Sequence, residues 1–592
     1  MKSEKILESI KSEIKAFLSL KGVSDATVNL EKPILVEHGD LATNVALRYA
    51  KNLSSNPMAI ANELAEYLST KKITGLTKVE VAKPGFVNLF LNSEFSEAVL
   101  EDVLSLGGSF GSNASLSGLK WVVEHTSPNP NKAMHLGHLR NNLVGMGIVR
   151  LLEASGAKVI CEAVNNDRGI AIAKMMYGYL AEMRKDTKNP IDVKYWASHQ
   201  SEWKQPEDLN MLPDVFASEC YVLGSTACEN NPEVDAIVRD MVVKWEAKDE
   251  NIWKLWAYVL DFSYRGISRT LTRLGNRWDK VWNEHEHYQA GKDYVHKGLD
   301  MGIFKKLEDG AVLTDLEKYN LSDTILLKKD GTALYITQDI ALTDLKKKTH
   351  QADRLIWVIG PDQSLAMKQM FAVCEQLGIG KVTDFTHVAY GYVALKDESG
   401  EIKKMSSRAG TVVLIDDVLD LVKSKILERL KADNKISANS DILAEKLAIA
   451  AVKFSFLKPD RNQDTAFDIE NSIQTTGDSG VYAMYTYARA KSVLRKAGTA
   501  EIKPADSEIG SDVAKVLSLY PDVIKKSQTE FSAHHVAQYI LSLCAAFNSW
   551  YGQEMILDGG EDQAHKLAIT KSVAQVLKNA LAILGIEVAE EI

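Results

Sequence analysis

The sequence predicts a doubly wound α/β core, preceded by a compact α+β module and followed by a helical bundle. Three observations predict it. Leu119 to Val123 is a short apolar run with the β-branched and aromatic content of a buried strand, and beyond a polar stretch Leu139, Leu143, Val144, Ile148, Leu151 and Leu152 recur at helical spacing. Lys158 to Val164 repeats the strand signal, and Asn165-Asn166-Asp167-Arg168-Gly169 reads as a turn opening a second helix, so strands alternate with helices as in a parallel sheet covered on both faces. From about residue 431 onward only helical periodicity is left.

Residues 1–112 open with an amphipathic helix rich in lysine and glutamate. Thr43 to Lys51 and Pro57 to Tyr67 read as further helices, and LTKVEVA and GFVNLFLN as strands. Gly39, Asp40 and Pro84-Gly85 are turn residues. Gly107-Gly108-Ser109, Gly111-Ser112 and Ser115 to Gly118 form a small-residue linker. The α/β core is expected over 118–430, with Asp167 capping its second helix and His387 to Leu395 as a late strand. A charged, tryptophan-bearing stretch from about 185 to 275 breaks the strand-helix rhythm and reads as a mainly helical insertion. The bundle is expected over 431–592, with helices at Ile442 to Leu457, Ala488 to Lys496, Asp512 to Leu519, Ala533 to Trp550 and His565 to Leu584.

The length of 592 residues suits three to four domains, and 45% hydrophobic residues fill several cores. No stretch approaches the roughly 20 apolar residues needed to span a bilayer, and the first helix lacks the continuous apolar region of a signal peptide. A cytoplasmic protein with no membrane partner is expected. The five cysteines are odd in number and scattered, which favours free buried thiols over disulfides, and Cys220 and Cys228 have the wrong spacing for a zinc knuckle. The net charge of −9 is neutral on the question of nucleic acid, because RNA binding depends on where cations cluster, on shape and on stacking.

The stretch Ser127-Pro128-Asn129-Pro130-Asn131-Lys132-Ala133-Met134-His135-Leu136-Gly137-His138 joins the first strand of the core to its first helix. It reads as a nucleotide site. Backbone N–H groups and the positive dipole end favour phosphate near a helix N-terminus, Gly137 lets a flat base approach the backbone, and two histidines can donate to phosphate oxygens. Taken alone, H-x-x-H is explained as well by zinc ligation or by plain surface polarity. A second polar element, Lys403-Lys404-Met405-Ser406-Ser407-Arg408-Ala409-Gly410, offers lysine and hydroxyls to a pyrophosphate leaving group. Between them, Tyr335 and Asp339 lie one helical turn apart and so share a face. Other features read as structural: Gly145-Met146-Gly147 lacks the third glycine of a dinucleotide loop, Glu284-His285-Glu286-His287 has no partner ligands at a telling spacing, and most of Tyr482, Tyr485 and Tyr487 belong to a core face.

Together the two polar elements resemble the HIGH and KMSKS signatures of class I aminoacyl-tRNA synthetases. The wording S-P-N-x-x-K-x-x-H-x-G-H-L-R behind Val123-Glu124 is similar to that of arginyl-tRNA synthetases. The resemblance covers nearly the whole chain except about 185–275. It is carried further by His38 to Ala46, by Asn56-Pro57, by Val81 to Asn88, by Val452 to Asp460, by Phe467-Asp468 and by Gly477 to Arg489. It implies a class I doubly wound (Rossmann-like) catalytic domain, an N-terminal additional domain that contacts the tRNA elbow and a helical anticodon-binding domain. It also implies an arginine:tRNA(Arg) ligase that uses ATP with Mg²⁺, holds no structural metal, depends on tRNA for adenylate formation and works as a monomer.

Matched residue by residue, the resemblance assigns His135, His138, Lys132 and Lys404 to catalysis, and Gly137, Gly391, Ser406, Ser407 and Arg408 to ATP binding beside His135, His138 and Lys404. Glu124 and Asp339 would face the guanidinium, whose planar fork of donors suits carboxylates. Tyr335 would pack beside it, and Ser127, Asn129 and Gln363 would hold the amino and carboxylate ends. Tyr482, Tyr485 and Arg489 would meet tRNA. The family's usual second loop lysine is Ser407 here, and Lys132, one turn before His135, is the expected substitute. Two further departures are the ending Ala589-Glu590-Glu591-Ile592, where a methionine is usual, and His565 near a usual arginine. Two other readings stand beside this one. A catalytically inactive, RNA-binding regulatory paralogue is disfavoured by the intact His135, His138, Lys404, Tyr335 and Asp339, and a synthetase for another amino acid by the paired acidic residues.

Overall fold

The structure is a computed structural model that describes residues 1–33, 36–186, 191–396, 402–404 and 413–592. The chain divides into two units, one of residues 1–113, 474–526 and 535–592 and the other of 114–473 and 527–534.

In the first unit an antiparallel sheet of β1 (Leu41–Thr43), β2 (Leu76–Ala82) and β3 (Phe86–Leu91) runs in the order β1-β3-β2. The helix Lys2–Leu20 buries Ile10, Ile14, Phe17 and Leu18, the three-to-four-residue spacing of an amphipathic stripe. Pro57 at the first helical position and Asn56, whose side chain accepts from the Met58 N–H, start the helix Pro57–Ser69. The same unit takes in the helices Gly480–Ala497, Ser511–Ser518 and Gln563–Ile583. Asn579 Nδ2 donates to the Gly107 and Phe110 carbonyls at 2.9 and 3.2 Å, so both ends of the chain share one packed body.

The helices Ile415–Ala432 and Ser440–Leu457 pack on each other within the second unit, and the division falls after Ile473. Helical periodicity specifies a buried face but not the partner that buries it.

The second unit is built on a five-stranded, wholly parallel sheet of β4 (Lys120–Glu124), β5 (Lys158–Asn165), β6 (Lys280–Asn283), β10 (Arg354–Val358) and β11 (Phe385–Val388). Between β6 and β10 lies a small antiparallel sheet of β7 (Lys305–Lys306), β8 (Val312–Leu313) and β9 (Ile325–Leu327). A further sheet comprises β12 (Val393–Lys396), β13 (Ile402–Lys404) and β14 (Thr465–Phe467). The parallel strands run in the order β11-β10-β4-β5-β6, so the chain winds one way from β4 and the other way from β10. That reversal opens a crevice at the carboxyl ends of β4 and β10.

Two local expectations are corrected. His387 to Leu395 is not one strand but parts of two: Gly391 N–H donates to the Arg461 carbonyl and Tyr392 N–H to Asp464, turning the chain out of the parallel sheet between β11 and β12. Asp167 does not cap the helix Ile170–Glu182, which starts from Gly169. Its carboxylate accepts instead from His285, through the backbone N–H at 3.0 Å and Nδ1 at 2.6 Å.

The insertion is helical, with Val193–Ser198, Pro213–Asn230, Pro232–Glu246 and Glu250–Arg273. Ile170–Glu182 and Pro213–Asn230 cross backbone to backbone at Gly178 and Gly224, where a Cβ would stand 1.9 Å from the Cys220 and Lys174 carbonyl oxygens. Tyr179, Trp196, Phe216, Tyr258 and Phe262 pack edge to face beside this crossing.

Candidate active site

A cleft of about 710 Å³ occupies the crevice at the carboxyl ends of β4 and β10. Its floor is set by the turn leaving β4. Thr126 sits in the left-handed region at φ 56°, a strained conformation for a β-branched residue. The turn is held by Asn141, whose Oδ1 accepts from the Thr126 N–H at 2.6 Å while its Nδ2 donates to the Val358 carbonyl at 2.7 Å and the Tyr390 hydroxyl at 3.1 Å. One amide thus ties the ends of β4 and β10 to the segment that follows β11.

The helix Leu136–Ala154 points its N-terminus into the cleft, with His135 as its cap. His135 Nδ1 accepts from the Gly137 N–H, and His138 Nδ1 accepts from the His135 N–H, both at 3.2 Å. The rings stack with centroids 3.8 Å apart. Accepting at Nδ1 leaves the single ring proton of each neutral imidazole on Nε2. Burial, helped by the nearby Lys132 cation, lowers His135 to about 4; burial, then His135 and Lys132, holds His138 well below the usual histidine range. Both histidines are therefore neutral Nε2–H donors at the positive end of a helix. Gly137 is compact enough to pass under the ring: a Cβ there would stand 3.0 Å from His135 Cε1.

The segment that follows the second signature element meets the first through the backbone. Leu136 N–H donates to the Val413 carbonyl and Ile415 N–H to the Met134 carbonyl, bridging His135 to Leu414. At the start of the second element, β13 ends at Lys404 and pairs with β12, whose first residue lines the cleft. Ser406, Ser407 and Arg408 lie outside the described residues.

The cleft is also lined by Glu124, Ser127, Asn129, Tyr335, Asp339 and Gln363. Ser127 Oγ accepts from the Val164 N–H at 2.9 Å, and Asn129 Oδ1 from Asn166 Nδ2 at 3.0 Å. Tyr335 and Asp339 share a face of the helix Tyr335–His350, although Tyr335 is 82% exposed at the cleft edge rather than packed. Asp339 is open to the cleft but lies deep in the protein mass. Desolvation, then the Glu124 and Glu284 charges, push it up to about 7 against the pull of Lys346.

The structure thus brings together all six residues expected for the amino acid and, on the nucleotide side, His135, Gly137, His138 and Gly391. Lys132 stays outside the cleft lining but close enough for both histidines to feel its charge. Among residues that sequence reasoning missed, Asn141, Lys346 and Tyr390 line the cleft. Lys346 had a signal: it follows Asp339 by two helical turns on the same face, but it opens the run Lys346-Lys347-Lys348, which reads as solvated.

Comparison with known proteins agrees with this arrangement. Family models match residues 4–91 (arginyl tRNA synthetase N terminal domain), 100–469 (tRNA synthetases class I (R), catalytic domain) and 483–592 (DALR anticodon binding domain). The chain is 32% identical to an arginine–tRNA ligase of Treponema denticola, covering 95% of this chain and 94% of that one, and 32% identical to one of Ligilactobacillus salivarius, covering 96% of each. Its fold matches the arginyl-tRNA synthetase of Thermus thermophilus with a TM-score of 0.77 at 22% identity, over 99% of this chain and 100% of the other.

Proposed function

The chain belongs to the arginyl-tRNA synthetases, the class I arginine–tRNA ligases, and on that premise we propose that the cleft between β4 and β10 is where it joins arginine to ATP before transfer to the 3′-terminal adenosine of tRNA(Arg). The observation that carries this reading is that one continuous cleft is lined both by the carboxylates Glu124 and Asp339 and by the neutral donors His135 and His138. A guanidinium suits the carboxylates and a phosphate chain the donors.

Adenylation needs the arginine carboxylate to attack the α-phosphate in line as pyrophosphate leaves, so the protein chiefly positions groups and meets charge. In this reading Asp339 and Glu124 take the guanidinium, Tyr335 covers it, and Ser127, Asn129 and Gln363 orient the amino and carboxylate ends. The Nε2–H groups of His135 and His138 donate to phosphate oxygens beside the helix N-terminus. Gly137 and Gly391 admit the nucleotide; at Gly391 a Cβ would stand 2.2 Å from the Gln463 carbonyl oxygen, so no larger residue fits. Lys404, Ser406, Ser407 and Arg408 are assigned to the leaving pyrophosphate, with Lys132 supplying the cation absent at position 407. Mg²⁺ would arrive on the ATP phosphates. Among the described residues no group of His, Cys, Asp and Glu could hold a metal ion, and no step here is routed through one.

For tRNA, we assign residues 1–112 to the elbow and the terminal helices to the anticodon. Half-buried Tyr482 and Tyr485 and exposed Arg489 lie on Gly480–Ala497, beside Asn548, which donates to the Tyr482 hydroxyl at 3.0 Å. Aromatic and guanidinium faces of this kind stack on unpaired bases. We further propose a cytoplasmic monomer: all five cysteines are free and buried, as suits a reducing compartment, and no helix among the described residues is long and apolar enough to cross a membrane. ATP–pyrophosphate exchange with each amino acid, with and without tRNA, tests the assignment. Exchange is expected with arginine alone and only when tRNA(Arg) is present. Exchange with another amino acid, or none with arginine, overturns it.

A further inference from the structure

Beside Glu124 in the cleft lies a buried charge cluster, of which the adenylation reading uses Glu124 alone. Glu124 on β4 and Glu162 on β5 are direct neighbours in the parallel register. Lys346 inserts between them, its Nζ 2.5 Å from Glu124 Oε2 and 3.3 Å from Glu162 Oε2. The Lys346 side chain is 1% exposed and that of Glu162 0%. The other oxygen of Glu162 lies 2.5 Å from His350 Nε2, one turn further along the same helix. Asp339, Lys346 and His350 therefore form one stripe of Tyr335–His350, facing the ends of β4 and β5.

We propose that Lys346 is a positioning residue for arginine selection: by bonding one oxygen of Glu124 it fixes that carboxylate, with the second oxygen left for the guanidinium. The inference rests on the reading of Glu124 and Asp339 as the guanidinium's partners. Its physical ground is that two carboxylates on adjacent strands, themselves about 5 Å apart, repel each other in a buried site unless a cation lies between them. Lacking Lys346, Glu124 would swing away from Glu162, since at the cleft it has the room to move. Lys346 does not repel the substrate, because its charge is already matched by two carboxylates and the cleft floor stays anionic. A simple count of charges gives the opposite expectation, since removing a cation from the cleft should tighten the binding of a cationic substrate.

That contrast defines the test. Steady-state aminoacylation by the full-length enzyme is compared for Lys346→Met, Lys346→Arg, Glu124→Gln and the double variant Glu124→Gln/Lys346→Met, with KM measured separately for arginine and ATP and folding checked by thermal melting. Lys346→Met should raise the arginine KM about tenfold or more while leaving that for ATP within about twofold, and Lys346→Arg should recover most of the loss. In the Glu124→Gln background, assayed well above pH 7 so that Asp339 is ionised in every variant, Lys346→Met should add little, since it acts through a carboxylate no longer present. If Lys346→Met does not fold, Lys346→Gln, which keeps hydrogen bonding without charge, is read in its place. An unchanged or lower arginine KM, or effects of the two single changes that simply multiply, would overturn the positioning role. An arginine KM indifferent to Glu124→Gln would instead sink the assignment of the cleft itself.

Discussion

Asp339 carries the selection argument at the scale of single residues, because a carboxylate raised to about 7 is poised to change charge near neutrality. Only the ionised form pairs with a guanidinium. With a raised pKa the free enzyme holds a proton on Asp339 below about pH 7 and must release it to bind arginine. The arginine KM should therefore fall as pH rises from about 6 to about 8, and calorimetry near pH 7 should detect proton release on binding. Glu124 and Glu284 act to raise this titration and Lys346 to lower it, so a flat profile would mean that another group bears the guanidinium. Asp339→Asn should raise the arginine KM about 30-fold or more and shift that for ATP little, the cost of truncating one partner of a desolvated ion pair. On the nucleotide side, Lys132→Ala should lower the turnover of adenylate formation about a hundredfold without loss of tRNA affinity, measured by single-turnover exchange and by filter binding. Near-normal turnover would make Lys132 a solvated loop residue. That Asp339 and Tyr335 share a face was legible from helical spacing, whereas their assignment to arginine came from the family resemblance. Asn141 was not legible, since an asparagine in a helix says nothing about which strand ends its amide will reach.

At the scale of elements, the cleft depends on how the turn after β4 is held. Thr126 pays for its left-handed backbone through the bond from its N–H to Asn141, and the same amide grips the Val358 carbonyl and the Tyr390 hydroxyl. Asn141→Ala removes all three ties at once. Misplacing reacting groups by about 1 Å costs on the order of a hundredfold in rate, so kcat/KM should drop for arginine and ATP alike, unlike the arginine-only effect at Asp339. A loss confined to one substrate would show that Asn141 serves a single subsite. The contact of Met134 to Leu136 with Val413 to Ile415 belongs to this scale too: the first signature element shares backbone hydrogen bonds with a segment far along the chain that follows the second. Sequence spacing carries no trace of such a pairing, because backbone groups are the same in every residue. The break between β11 and β12 was equally hidden, since His387 to Leu395 is rich in strand-forming residues and the tertiary bonds from Gly391 and Tyr392 divide it.

At the scale of the whole molecule, the parallel sheet was legible from the alternation of strands and helices, whereas the grouping of the terminal segments was not. An N-terminal module and a helical bundle could each have closed its own core. Instead Ser93–Leu106 packs on Ser511–Ser518 and Gln563–Ile583, and Phe110 stacks on Tyr520 with both residues 2% exposed. Lys515 pairs with Asp40 at 3.1 Å, and Asn579 donates to Gly107 and Phe110. Deleting residues 1–113 should therefore do more than remove an elbow contact. It strips an apolar covering from the terminal helices, leaves Asn579 without its two acceptors and exposes the Tyr520 ring, each a recognised source of large destabilisation. The shortened protein should melt lower, bind a hydrophobic dye that the full chain excludes, and lose affinity for an isolated anticodon stem-loop, a ligand too short to reach an elbow site. Unchanged melting and undiminished stem-loop binding would establish instead that the N-terminal module is an appendage folding by itself.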